Sequence, residues 1–505
     1  MPVGHGRKKP LHFRQMEFII KSSVGRLVTE GNPFRGPQAA LPQTDKIKKV
    51  SCVKIRSRSM LEGPLFVNII LYTIPIILTG VLQLLFNAAD LVVVGRFCGS
   101  ISVAAVGATT YITNLLVNFF VGLSVGAGVS VAHGIGCRDE QTVHRTVHTT
   151  LPMALLSGVV LTVVGVSCSE TFLRWMDTPA SVLPLSTTYM RICFGGVTFT
   201  MIYNFCAAIL RAAGDTRSPL IFLTFSGVLN VVMNLFFVRV LDMNVAGVAL
   251  ATTLSQGVSA ALVVIALMRR TDSCRLELKK LRFYPEEIKK IVRIGLPAGT
   301  QSALFSISNV LVQSSVNSFG DVFVSGNAAA ANIEGFLYTS LNSFHQTAVN
   351  FVGQNVGAGQ YDRVKKTAWI CLSSVAVTGI LFSSLVCLFG RQLLGIYLTD
   401  SPEAIVHGLL RFYRVSSLYF LCGMMDVSTG ALRGLGASTV PMVICLLGAC
   451  GLRILWIATV FPHWRTPEGL FLCYPISWVV TLAAQIIAFA VVYRGQTAQM
   501  SAHTQ

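Results

Sequence analysis

From Leu65 onward the chain alternates long apolar runs with short polar breaks. A helix needs about 20 apolar residues to cross the hydrocarbon core of a bilayer. By that rule the runs predict twelve spans: 65–95, 102–133, 146–168, 184–212, 219–240, 245–268, 290–318, 322–354, 367–389, 403–432, 438–461 and 470–493. Several exceed the minimum, which predicts tilt, kinks or protrusion beyond the core. Pro75 and Pro297 fall inside their helices and are expected to bend them, because each removes a backbone hydrogen bond. Residues 1–62 hold no long apolar run, so they do not read as a secretory signal and are expected to form a disordered basic tail. Met60-Leu61-Glu62-Gly63-Pro64 directly precedes the first span, which makes Met60 a candidate native start.

The polar residues left inside the runs are ordered too. Thr79, Gln83, Asn87 and Asp90 are spaced 4, 4 and 3 apart, which is one face of a helix. Asp90 is followed by Val92, Val93 and Val94, so its carboxylate sits within an apolar run. There it costs roughly 2.5–3.5 kcal/mol on insertion scales, and such a group is usually a site. That face is expected to line a cavity or to meet neighbouring helices. The competing reading is a carboxylate near the outer interface, satisfied by water.

The runs also repeat. A shift of 222 carries Pro75 to Pro297 and Asn87 to Asn309. It also lays ILRAAGDTRSP on ALRGLGASTVP, with Arg211 on Arg433, Gly214 on Gly436 and Pro219 on Pro441. Each unit has an even number of spans, so the two are parallel repeats around an axis along the membrane normal, with a central cleft. The expected organisation is a tail (1–62), a first lobe (63–268), a basic cytoplasmic linker (269–289), a second lobe (290–494) and a short C-terminal tail (495–505). The fold class is an all-α polytopic membrane protein.

Composition agrees. The chain is 53% hydrophobic and 12% charged, against about 25% charged in soluble domains. Its net charge of +18 lies mainly in the tail and in residues 269–293. That distribution predicts positive-inside topology with both termini cytoplasmic, in a cytoplasmic (plasma) membrane, rather than a nucleic-acid surface. The 13 cysteines show no CxxC pair and no zinc spacing, so they read as packing residues. There is no HExxH and no Walker A motif, which argues against an intramembrane enzyme and against ATP as the direct energy source.

In this order, NAADLVVVGRFCG, VAAVGATTYITNLL, VGLSVGAGVSVAHGIG, LRAAGDTRSP, LNVVMN and GVALATTLSQ resemble the multidrug and toxic compound extrusion (MATE) family, most closely its prokaryotic branches. The likeness runs from about Gly63 to Arg494. It implies twelve helices in two six-helix lobes and efflux of organic, often cationic and aromatic, compounds in exchange for Na⁺ or H⁺. It places Asp90 at the family's first-helix cation site, beside Asn230, Asn234 and Thr252. Some members carry an Asp where Asn234 stands and an acid where Phe305 stands, so the resemblance leaves the coupling ion open.

The residue types suit that chemistry. Na⁺ is a hard cation that takes several oxygens, and Asp90, Asn230, Asn234 and Thr252 supply them, with Ser226 and Ser255 in register. A proton needs one carboxylate in a desolvating site. The competing readings are interhelical hydrogen bonds for the two asparagines and a bond back to its own helix for Thr252. In the second lobe Gln301, Asn309, Gln313 and Asn317 stripe one helix and, with Gln83 and Asn87, are expected to line the cleft. Glu334 and Asp426 are further cleft candidates, and Arg453, which overlays Asn230, is expected to pair with one of them. His345, Gln346, Tyr111, Tyr203, Tyr338 and Phe336 are candidate substrate contacts. The chain is therefore expected to be a monomeric antiporter, with small organic substrates, Na⁺ or H⁺, and the lipid bilayer as its partners. No cofactor, no metal beyond Na⁺ at Asp90 and no nucleic acid are implied. The alternative is a flippase for a lipid-linked saccharide, which would present several cations to a pyrophosphate.

Overall fold

The computed structural model describes residues 59–398 and 401–504. Most of the expected N-terminal tail (1–58) lies outside the described residues. The first half holds α1 (Leu65–Phe97), α2 (Ser100–Gly136), α3 (Glu140–Trp175), α4 (Leu183–Gly195), α5 (Val197–Ala212), α6 (Arg217–Arg239) and α7 (Asn244–Met268). The second holds α8 (Pro285–Asn317), α9 (Asp321–Gly357), α10 (Tyr361–Leu388), α11 (Gly390–Gly395), α12 (Pro402–Arg414) and α13 (Tyr419–Gly434). It continues through α14 (Thr439–Cys445), a π-helical turn (Leu446–Gly451), α15 (Leu452–Thr459), α16 (Pro467–Phe471) and α17 (Cys473–Thr504). The described residues contain no strand.

Nine stretches among the described residues are long and apolar enough to cross a membrane, and α4 with α5 makes a tenth if the bent pair is one span. That pair bends by 44°. The break falls at Gly195-Gly196, and a Cβ on Gly196 would stand 2.2 Å from Thr253 Cγ2, so the glycine lets α7 come close. Helices α8 and α9 are long enough to cross but are not among the nine. The first of them opens on Glu286, Glu287, Lys289 and Lys290, and both carry polar stripes. The predicted number of twelve therefore exceeds what length and apolarity alone support, and the difference lies in these two helices.

The helices continue through Pro75 and Pro297, and α3 also contains Pro152. The duplication reaches the backbone. Gly99 (φ 86°) and Gly320 (φ 90°) precede equivalent helices, and Gly214 (φ 86°) and Gly436 (φ 82°) close equivalent ones. Each sits in the left-handed region, where a side chain would be strained.

The halves meet most extensively along α2 and α8. Gly122 and Gly126 on α2 face Gly295 and Gly299 on α8, a small-xxx-small contact on both helices. A Cβ on Gly122 would lie 2.2 Å from Gly299 N, and one on Gly126 2.1 Å from Ile291 O, so no larger residue fits without parting the helices. The same glycines spell GLSVG, a GxSxG string that elsewhere marks a hydrolase nucleophile. Here it lies inside a helix, with no strand-to-helix elbow, and Ser124 Oγ donates to Val121 O at 2.7 Å.

Side-chain hydrogen bonds between the halves, among the described residues, gather toward one end, the end carrying the basic loops. His133 Nε2 bonds Gly434 O (2.7 Å), Gln354 Nε2 donates to Ala212 O (2.6 Å), Thr146 Oγ1 to Glu287 Oε2 (3.1 Å), and Asn355 Nδ2 to Met60 O (3.3 Å). The deepest is Thr73 to Thr347 at 2.8 Å. The linker docks on the first half: Cys274 and Leu276 are buried in its core, and Glu277 N donates to His148 Nε2 at 3.0 Å. The bundle is thus fastened at its basic end.

Candidate functional site

Two polar centres stand away from that fastened end. In the first half, α1, α6 and α7 converge on Asp90. Gly227 makes the approach possible, because a Cβ there would sit 1.9 Å from the Phe86 ring. Asn234 Nδ2 donates to Asp90 Oδ1 (2.5 Å) and Thr252 Oγ1 to Asp90 Oδ2 (3.2 Å). Asn234 Nδ2 also reaches Asn230 Oδ1, and Asn230 Nδ2 reaches Thr252 Oγ1, both at 3.3 Å. Asn230 and Asn234 are buried and Asp90 is partly so. No ion pair reaches Asp90 among the described residues. Asn234 Oδ1 is buried with no hydrogen-bond partner, as is Gln256 Oε1 one turn beyond Thr252. Ser226 and Ser255 bond back to their own helices, at Leu223 O (3.1 Å) and Thr252 O (2.9 Å).

The structure brings together all four residues that the sequence singled out as a cation site. Of the two readings of the Thr79–Asp90 face, cavity lining and contact with neighbouring helices, each holds for part of it, and the expectation that Asn87 lines the cleft is not met. Thr79 and Gln83 line the central cavity, whereas Asn87 and Asp90 are not among its lining residues. Past Gln83, α6 and α7 close over that end of α1, and the carboxylate turns into the space between the three helices.

The cavity itself, of about 630 Å³, lies between the halves and is lined chiefly by the second. Gln301, Asn309 and Asp426 line it as expected, with Tyr203, Tyr338, His345 and Gln346. Gln313 and Glu334 do not. Gln313 Nε2 donates to Asn317 Oδ1 at 3.0 Å, and Glu334 is buried in an ion pair with Arg411 at 2.6 Å. That pair is fully served: Ser416 Oγ donates to Glu334 Oε1 (2.7 Å) and Arg411 Nη1 to Asn327 Oδ1 (2.7 Å). Tyr111 stays exposed, and Phe336 is absent from the lining.

The expected pairing of Arg453 with Glu334 or Asp426 is overturned. Arg411, which the sequence reading passed over, takes Glu334. Arg453 instead donates from Nε to Ser477 Oγ (3.0 Å) and from Nη1 to Asn309 Oδ1 (3.4 Å), and its guanidinium lies 4.5 Å from the Tyr474 ring centroid. The repeat shows what this replaces. The 222 shift carries Asn87 to Asn309, Thr252 to Tyr474 and Ser255 to Ser477. The π turn, with its wider hydrogen-bonded ring, takes up one extra residue and brings Arg453 into the register of Asn230. Where the first half gathers oxygens around a carboxylate, the second holds a tethered cation.

A second buried arginine lines the cavity. Arg433 Nη2 donates to Gln301 Oε1 (2.9 Å), and its Nη1 meets His345 Nε2 (3.3 Å). Arginine can only donate, so His345 Nε2 is the acceptor. Its Nδ1 carries the proton given to Asp426 O at 2.6 Å, which makes His345 a neutral, satisfied residue.

A duplicated helical bundle with a central chamber and an unpaired acid between its helices defines a polytopic membrane transporter. A family model described as MatE matches residues 75–236 and 297–458, two segments offset by the same 222 positions. The chain therefore belongs to the MatE family of multidrug efflux transporters. It is 28% identical over 425 residues to the probable multidrug resistance protein YoeA of Bacillus subtilis, covering 82% of this chain and 90% of that protein. It is 26% identical to YpnP of the same organism (85% and 95% covered) and 24% to NorM of Thermotoga maritima (77% and 84%), both described in the same words. A solved structure described as the outward-facing conformation of a multidrug resistance MATE family transporter superposes with a TM-score of 0.80. The two are 20% identical, with 88% of this chain and 98% of that one covered. MATE structures in bent and straight conformations superpose at 0.79 and 0.78.

Proposed function

We propose that this chain is a secondary active exporter in which an inbound cation binds at Asp90 and an organic compound leaves through the central cavity. The observation that carries this reading is the Asp90 carboxylate, set between three helices, held by Asn234 and Thr252 and without an ion-pair partner among the described residues. A group that costly persists where it does work. Na⁺ would take the Asp90 oxygens with those of Asn230, Asn234 and Thr252, and the unpartnered Asn234 Oδ1 suits a ligand that brings positive charge. A proton would need Asp90 alone. Cation and cargo favour opposite conformations, so each drives release of the other.

Positive-inside topology assigns the fastened, basic end to the cytosol, with both termini there, in the plasma membrane. The conformation described is then the outward-open one, and the protein acts as a monomer. The family resemblance implies organic, often cationic, cargo, with Asp426 as the cavity carboxylate to receive it.

The test is efflux in a pump-deficient host. Expression should lower ethidium accumulation, and dissipating the Na⁺ and H⁺ gradients should restore it. Asp90→Asn should abolish the effect at unchanged expression. Unchanged efflux in that variant would remove Asp90 from the mechanism.

A further inference from the structure

The charged side chains lining the cavity are Arg211, Arg433, Arg453 and Asp426, three guanidinium groups against one carboxylate. A membrane chamber tolerates buried positive charge only if something offsets it. Arg411 shows how the protein does this for structure, with a buried glutamate at 2.6 Å. Arg433 and Arg453 are as buried, at 6% and 3% exposed, yet neither has an ion-pair partner among the described residues. Arg433 Nε is buried with no hydrogen bond at all. Arg453 uses Nε and Nη1 on neutral side chains, and its Nη2 has no protein acceptor among the described residues. Tyr474 and Trp478 flank it, with ring centroids at 4.5 and 6.0 Å, and both line the cavity.

We infer that the cavity also binds organic anions, with the acidic group of the cargo on Arg433 and Arg453 and its planar apolar body among Tyr338, Tyr474 and Trp478. Guanidinium forks match carboxylate and phosphate oxygens, and aromatic walls accept a flat apolar body. Asp426 stands on the same face of α13, seven residues and two turns before Arg433. The chamber therefore offers both signs of charge, and its cargo need not be cationic. This rests on the reading that the cavity is the cargo chamber, though not on the role of Asp90.

The experiment is equilibrium binding to the full chain in nanodiscs with three radiolabelled probes of one shape: naphthalene-2-carboxylate, 2-naphthylmethylammonium and naphthalene-2-methanol. The carboxylate should bind at least tenfold tighter than the alcohol. Arg433→Gln and Arg453→Gln should each remove that preference, and Arg453→Lys should keep part of it. Farnesyl monophosphate displacing the carboxylate would assign the anion site to a lipid headgroup. Failure to displace it would assign the site to water-soluble acids, and both results uphold an anion site. Equal binding of carboxylate and alcohol by the wild type overturns the inference, whatever the folding of the variants. Ethidium export without anion preference sinks this inference alone, whereas anion preference without export sinks the efflux reading alone.

Discussion

The two halves of this transporter descend from one pattern, yet they put opposite charges at one address. In the first half, α1, α6 and α7 surround a carboxylate with amide and hydroxyl groups, and it has no ion-pair partner among the described residues. In the second, Val312 stands at the place of Asp90, and Arg453, in the register of Asn230, is bonded to the counterparts of Asn87 and Ser255 and stacked on the counterpart of Thr252. The carboxylate has no ion-pair partner among the described residues, whereas the guanidinium is tethered by side chains of its own half. The comparison teaches that duplication conserves the address while a register change at the π turn and a few substitutions, Val312 for Asp90 and Tyr474 for Thr252, reverse its charge.

A second contrast lies between the acids. Glu334 and Asp90 are both carboxylates at membrane depth, but of the two only Glu334 has an ion-pair partner among the described residues, Arg411. Glu334→Gln should therefore give the largest loss of stability, about 3–5 kcal/mol, because it strands a buried guanidinium. Asp90→Asn should melt within about 1 kcal/mol of the wild type while losing transport, since the amide still takes hydrogen bonds. Thermal unfolding of the two variants in one detergent checks the pair, and equal destabilisation would erase the distinction.

Next in size is Thr252→Ala. It removes one hydrogen bond to the carboxylate, worth about 1.5–3 kcal/mol for a charged partner. Ion affinity, read as the concentration giving half-maximal dye exchange, should weaken by roughly 10- to 100-fold. An unchanged value would leave the hydroxyl a bystander. The smallest effect belongs to Arg453→Met. It removes a buried charge that has no acidic partner among the described residues, so stability should stay within about 1 kcal/mol of the wild type or rise. A loss as large as that of Glu334→Gln would mean that Arg453 holds the second half together.

Much of this was legible in the chain. The apolar runs marked the helices, and the offset between Pro75 and Pro297 is the offset between the two matched family segments. Asp90 announced itself by cost, and Asn230, Asn234 and Thr252 came with it through the resemblance. The partnering of charges in the second half was not legible. Arg411 lies in an amphipathic stretch, HGLLRFYR, where arginine is ordinary, so nothing in the sequence ties it to Glu334, 77 residues away. The π turn was hidden for a related reason: its extra residue leaves no gap or proline to mark it.

The central claim, that the first half's carboxylate is the ion's seat, is tested most directly in proteoliposomes with Na⁺ and H⁺ gradients imposed separately. Wild type should exchange ethidium against one of the two gradients, and Asp90→Asn against neither, with both proteins equally folded. Gradient-driven exchange that persists in the Asp90→Asn protein would contradict it.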